Sequence, residues 1–223
     1  MKNIFITLLV LFSIFSFAQN RYIGIRFGLN SSGLYGANTK HIKNLYSFSS
    51  GLTYGFKLKN NILLGAGLMY EKKGFQNGFN YFISVGHTTG SSYSEFRYTY
   101  LGLPLKAGYQ IGQKWTGYFY LGLVPAYLLD ARHKWDGITY NELGESTFEA
   151  EYDLTDDVNS FELSGMLEIG TAYQLNIKWA LVVNASYLRA FTKIAKDSES
   201  YINYPKSHRF NLSVGVKYAL ISE

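Results

Sequence analysis

The sequence predicts an all-β fold: a closed, antiparallel, eight-stranded up-and-down β-barrel that crosses a membrane. Three observations predict it. Apolar residues alternate with small or charged ones through most of the chain. The links between alternating segments are short and long by turns. Cysteine is absent, while aromatics make up 17% of the 223 residues. An exported chain without disulfides needs another source of stability, and a closed ladder of strands supplies one.

The first segment reads as an export address. Lys2 is the positive n-region, Ile4 to Phe17 is an apolar run of 14 residues, and Ser16-Phe17-Ala18 is a small-x-small cleavage signal. Such a run is too short for the ~20 residues of a spanning helix. Residues 1–18 are therefore expected to be a cleavable signal peptide, and residues 19–223 one outer-membrane barrel domain. The formal charge of +5 falls to +4 without Lys2. That excess is dispersed, with no basic stripe, so nucleic acid is not an expected partner.

The strands follow in order. Near residues 22–30, Ile23, Ile25, Phe27 and Leu29 share a face. Near 51–57 the apolar face is Leu52, Tyr54, Phe56 and Leu58. Near 62–72 it is Ile62, Leu64, Ala66, Leu68 and Tyr70. Near 98–109 it is Leu101, Leu103, Leu105, Ala107 and Tyr109. Near 118–129 it is Phe119, Leu121, Leu123 and Tyr127. Near 163–174 it is Leu167, Ile169, Thr171 and Tyr173. Near 179–191 it is Leu181, Val183, Ala185 and Tyr187. Near 209–220 it is Phe210, Leu212, Val214, Val216 and Tyr218. These lengths suit tilted membrane-crossing strands.

The opposite face carries glycines between charges: Gly24, Arg26, Gly28; Gly65, Gly67, Glu71; Gly102, Lys106, Gly108; Glu168, Gly170; Arg209, Asn211, Gly215, Lys217. A solvated sheet face would not need so much glycine. A narrow lumen would, because an eight-stranded interior has room only for interlocking side chains. The apolar face then meets lipid.

Short links (59–61, 110–114, 176–177) alternate with long ones (31–47, 73–96, 130–160, 192–207). This is the outer-membrane pattern, with both termini periplasmic and the long loops extracellular. Trp115, Trp179 and Tyr218 mark one interfacial girdle, and Tyr70, Tyr127 and Tyr187 the other. Within the second long link, residues 79–85 and 93–97 also alternate. They read as strands continuing beyond the membrane, bent near Gly74 and Gly78; an additional hairpin, giving ten strands, is the alternative.

The stretch Tyr100-Leu101-Gly102-Leu103-Pro104-Leu105-Lys106-Ala107-Gly108-Tyr109, with Tyr118-Phe119-Tyr120-Leu121-Gly122-Leu123-Val124-Pro125 after it, resembles the centre of the PorT-like family of outer-membrane β-barrels. Residues 24–30 resemble that family's first strand. Gly102 stands where the family often has an acidic residue, and Val124 separates Gly122 from Pro125. The resemblance implies an eight-stranded barrel. It also implies a role in envelope or type IX secretion assembly, the work of the family's founding branch.

Four sets of residues carry candidate chemistry. Arg26, Glu71, Lys106 and Glu168 should meet inside the barrel, either as a salt-bridged plug or as a lumenal ion site. His41, His87, His133 and His208 fall one in or beside each long loop, read as exposed loop histidines, and their spacing brings no metal site together. Residues 130–160 hold nine of the 16 acidic residues. Of these, Asp136, Glu142, Glu145, Glu149, Glu151, Asp153, Asp156 and Asp157 form a candidate partner-binding loop. The plainer reading is a solvated hairpin of 138–140 with 147–152. Ser207-His208 is the one Ser/His neighbour pair, and adjacent strand residues point to opposite faces, so no nucleophile–base set assembles. The expected function is that of a non-enzymatic barrel presenting loops for binding or envelope assembly. It needs no cofactor or metal; outer-membrane lipid and an envelope or secretion-machinery protein are its expected partners. A narrow porin-like channel is the alternative, and a lipid-modifying enzyme the third reading.

Overall fold

The computed structural model describes residues 20–36, 42–83, 88–141, 144–196 and 206–220. The expected signal peptide lies outside them. Ten strands form one antiparallel sheet: β1 (Asn20–Tyr35), β2 (Ile42–Lys57), β3 (Ile62–Ile83), β4 (Thr88–Gly102), β5 (Leu105–Gly112), β6 (Trp115–Asn141), β7 (Gly144–Asp153), β8 (Phe161–Gln174), β9 (Trp179–Ala190) and β10 (Lys206–Leu220). β4 and β5 are one strand broken by Leu103-Pro104, since both pair with β3 on one side and β6 on the other. Proline cannot donate to the ladder, but Gly67 N donates to the Pro104 carbonyl and Leu103 N to that of Pro125, bridging the break. The expected single strand over 98–109 is corrected to this extent.

The ring closes because β1 pairs with β10 and β2 while β2 also pairs with β3. Its order is β1, β2, β3, β4/β5, β6, β8, β9, β10: eight positions, as the alternation predicts. The second long link adds no hairpin to the ring. β3 and β4 simply continue past it, pairing from Met69↔Gly102 out to Ile83↔Thr88.

Short turns connect one end. In the turn after β2, Asn60 and Asn61 take positive φ (62° and 63°), a conformation asparagine tolerates better than most residues. After β8, the Asn176 side chain accepts from the amides of Lys178 and Trp179, both at 2.9 Å, closing an Asx turn.

The predicted apolar face points outward. Ile25, Phe27 and Leu29 on β1 are more than half exposed, as are Leu121 on β6, Ile169 on β8 and Val214 on β10. Phe56 departs from this pattern and is buried. Trp115 lies tilted against Tyr173 and Trp179 meets Tyr218 edge-on, both at 4.8 Å, grouping aromatics at the short-turn end.

β6 has 27 residues, far more than the 9–11 of a membrane crossing. Its second half leaves the ring at a bulge opposite Thr99/Tyr100 and pairs with β4 and β7. Residues 130–141 thus extend the sheet by about 40 Å of strand at ~3.4 Å per residue. Together β3, β4, β6 and β7 form a fin at the long-loop end. The expected loop 130–160 is a β-hairpin for most of its length, and its register, Ile138↔Thr147 and Tyr140↔Glu145, matches the hairpin reading.

Candidate functional site

The lumen is built from the side chains opposite the apolar belt, and they fill it except for a small cavity beside Lys217. Nearest the short-turn end, Leu63, Tyr118, Tyr120, Ala172 and Val182 pack together. Glycines make room for the tyrosines there. A Cβ on Gly55 would stand 2.4 Å from Tyr22 Oη, and one on Gly170 2.7 Å from Tyr118 Oη. These positions pair small residues with large neighbours, as a tapered interior requires.

Above this layer sits the predicted charge network. Glu168, 1% exposed, accepts from Arg26 Nη1 through Oε2 at 2.7 Å and from Lys106 Nζ through Oε1. Glu71 does not join it. Glu71 pairs with Arg209, a separate buried bridge. This corrects the expected four-residue cluster. β3 carries Glu71 further toward the long-loop end, level with β10's Arg209 rather than with Glu168. Met69, Val124, Met166 and Leu188 pack as an apolar layer of the lumen.

A third bridge was missed by the sequence reading. Lys73 Nζ lies 2.5 Å from Glu162 Oε1, and Glu162 also accepts from the hydroxyls of Ser164 and Ser207, both at 2.9 Å. Lys73 stands over the Tyr100 ring at 3.9 Å. The signal was in the sequence. Lys73 has the parity of Glu71, and Glu162 that of Glu168, but both fell just outside the expected strand ends. At the long-loop end, Leu34, Tyr98, Tyr100, Leu128, Val158 and Ile194 close the lumen with an apolar cap.

The fin has two unlike faces. Along one, Phe75, Phe96, His133 and Tyr152 stand in register across four strands. Phe96 stacks on Phe75 at 4.6 Å and on the His133 ring at 4.2 Å. Trp135 meets Phe148 edge-on at 5.0 Å and donates to the Ser92 hydroxyl at 2.5 Å. His133 is thus a sheet residue, sharing a hydrogen bond with Ser94 Oγ at 2.6 Å, and not an exposed loop histidine. His208 is also on a strand, beside Tyr35. His41 and His87 lie outside the described residues. Among the described residues no three potential ligands converge on a metal.

The other face gathers charge. Glu95, Asp136, Glu145, Glu149, Glu151 and Asp153 alternate along the strands with Arg97, Arg132 and Lys134. Arg132 reaches Glu151 at 2.9 Å and Asp130 at 3.1 Å, and Lys134 reaches Glu149 at 2.8 Å. Hydrogen bonds from Thr155 hold the Asp153 carboxyl below the usual carboxylate range. Asp156 and Asp157 sit in the turn beyond β7, where their carbonyls accept from Lys196. Glu142 lies outside the described residues. Among the described residues β7 pairs only with β6, so its outer edge is open along its ten residues. Ser207 points into the lumen at Glu162 while His208 takes the opposite parity, so this pair builds no nucleophile and base.

Residues 17–196 match the family described as "Outer membrane protein beta-barrel domain". No curated protein matches the sequence. Among solved structures, the outer membrane protein OprG from Pseudomonas aeruginosa is 16% identical, with a TM-score of 0.45 over 92% of this chain and 97% of that one. Ail, the attachment invasion locus protein of Yersinia pestis, is 14% identical, with a TM-score of 0.37 over 89% and 98%. The outer membrane protease OmpT from Escherichia coli is 12% identical, with a TM-score of 0.37 over 91% and 97%.

Proposed function

The chain belongs to the outer membrane protein beta-barrel domain family, and on that premise we propose that it is a closed, non-enzymatic barrel whose extracellular fin docks a cationic partner. The observation that carries this reading is the open edge of β7. Every second residue of its ten turns its N–H and C=O away from β6, with Glu145, Glu149, Glu151 and Asp153 on one face and Phe148 and Tyr152 on the other. An exposed edge accepts an added strand through main-chain hydrogen bonds, with alternate side chains giving specificity. The charge favours a strand with a basic residue at every second position, and steering by the acidic face speeds the encounter. A second copy of β7 would bring like charges together and is disfavoured.

The alternation of short and long links supports an orientation with the short turns and termini in the periplasm and the fin outside the cell, after cleavage of residues 1–18. The resemblance to PorT-like barrels supports a partner from the envelope or secretion machinery. The channel reading is disfavoured by the four buried ion pairs, centred on Glu71, Glu162 and Glu168, and by the apolar cap; on this reading the protein does not conduct. Planar-bilayer recording tests that point: a reproducible nanosiemens-scale step from folded protein overturns the plug.

Replacing residues 136–157 with a Gly/Ser linker tests the docking reading. The barrel should still fold and show heat-modifiable gel mobility, because the ladder closes without the fin. Binding of an oligolysine peptide to the barrel in liposomes should be lost. Affinity capture from outer membranes should recover a partner only with the fin present. Full peptide binding by the deletion protein, or failure of the barrel to assemble, overturns the proposal.

A further inference from the structure

We propose that the periplasmic end of the lumen is a binding site for one monatomic anion of the halide class, held between Lys217 and Lys106. This site is separate from the fin, and its test does not depend on the docking reading. A small cavity of about 20 Å³ lies there, lined by Lys217, Lys106, Arg26, Tyr22, Tyr118 and Asn184, with Glu168 as its one carboxylate. That is room for a single water-sized particle, and a tetrahedral oxyanion does not fit.

The charges around the cavity do not balance. Arg26, Lys106 and Lys217 bring three positive charges to one negative. Both oxygens of Glu168 are already used, Oε2 by Arg26 and Oε1 by Lys106. Lys217 makes no ion pair with any described residue. Its ammonium instead rests against two aromatic faces, 4.3 Å from the Tyr118 centroid and 4.7 Å from that of Tyr22. Ring faces soften a cation's desolvation but supply no counter-charge. β1, β2, β5, β6, β8 and β9 each face the cavity, and among their described side chains lining it only Glu168 is acidic. An uncompensated charge away from bulk water is unfavourable. Lys217 is only partly exposed, and an anion between the two lysines halves the excess.

The donors suit such an ion. Tyr22 and Tyr120 share a hydrogen bond at 2.9 Å, and when Tyr120 donates, the Tyr22 hydroxyl proton is free to point into the cavity. Tyr118 is committed to Asn184 Oδ1, which fixes the ring beneath Lys217. Tyr22 pairs with Gly55 and Lys217 with Gly24, so the cavity lies close to the short turns.

The test is anomalous diffraction from crystals of the whole barrel grown in sodium bromide. A bromide peak in contact with Lys217 Nζ is expected in the unaltered protein and should be lost in Lys217→Met. A water in its place, or a peak that persists without Lys217, overturns the site. Should Lys217→Met fail to fold, the unaltered protein still decides the matter. Its unfolding temperature on heat-modifiability gels should be higher in chloride or bromide than in gluconate at equal ionic strength, and the rise should saturate. Equal unfolding temperatures in all three salts overturn it.

Discussion

The lumen and the fin are made by the same strands. β3, β4 and β6 each pass from one to the other, yet they treat charge in opposite ways. Inside, Glu168, Glu71 and Glu162 are at most 5% exposed, and each is paired with a buried cation. On the fin, Glu149 and Glu151 pair with Lys134 and Arg132 in the open. A buried pair is dangerous to break because the remaining partner has no water to turn to. An exposed pair is weak and screened by salt. Position in the lumen or on the fin therefore decides whether a carboxylate is structural or available to a partner.

Cutting one charge from each region tests that contrast most severely. Glu168→Gln would leave Arg26 and Lys106 buried without a counter-charge, and a loss of about 3–5 kcal/mol of folding stability is expected. Glu149→Gln should leave stability unchanged within error. Urea unfolding in detergent micelles or vesicles reads both. Similar midpoints for the two variants would mean that the lumen hydrates freely and is no plug.

A smaller effect separates the two faces of the strand within the membrane. Leu103 is exposed on the apolar belt, whereas Gly102 faces the lumen 3.2 Å from Val124 Cγ1, measured from an added Cβ. Leu103→Arg places a cation against lipid and should cost about 2–4 kcal/mol near the midplane. Gly102→Ser requires only a small shift of Val124. Folded yield in bilayers should fall for the first and hold for the second. Equal yields would reverse the assignment of faces.

Most of the ring was legible in the sequence because a strand's side chains alternate strictly, and lipid on one side with a narrow lumen on the other sharpens that alternation. The eight positions, the outward face and the Arg26–Glu168–Lys106 contact all follow from it. Partner choice inside the lumen was not legible. Parity says that Glu71 points inward, but the stagger between β3 and β10 decides that it meets Arg209. Lys73 and Glu162 were hidden for a different reason: they continue the pattern past the expected strand ends, where long-loop composition masks it. On the fin, alternation identified the hairpin but not the four-strand aromatic row, because Phe75, Phe96, His133 and Tyr152 come from four separate strands. Only the register brings them together.

The smallest expected effect belongs to that aromatic row. Burial against Phe96 holds the His133 imidazole below its usual value of 6.5. The unfolded chain therefore binds the proton more readily than the folded one. The stability this ring contributes is fully present above the unfolded value and is lost as pH falls below 6.5 toward the folded value. Protonation would also disturb the hydrogen bond with Ser94 and charge a ring stacked on Phe96. Because the site is on the fin, the loss should loosen the outer sheet while the barrel keeps its heat-modifiable form. Ring-carbon NMR of His133 in nanodiscs should give a midpoint under 6.5, and Trp135 emission should change over the same range, since the two residues share β6 and one face. His133→Gln should flatten the Trp135 response without changing barrel mobility. A midpoint at or above 6.5 would show the row to be open to water, and the fin's two faces would then be alike in solvation.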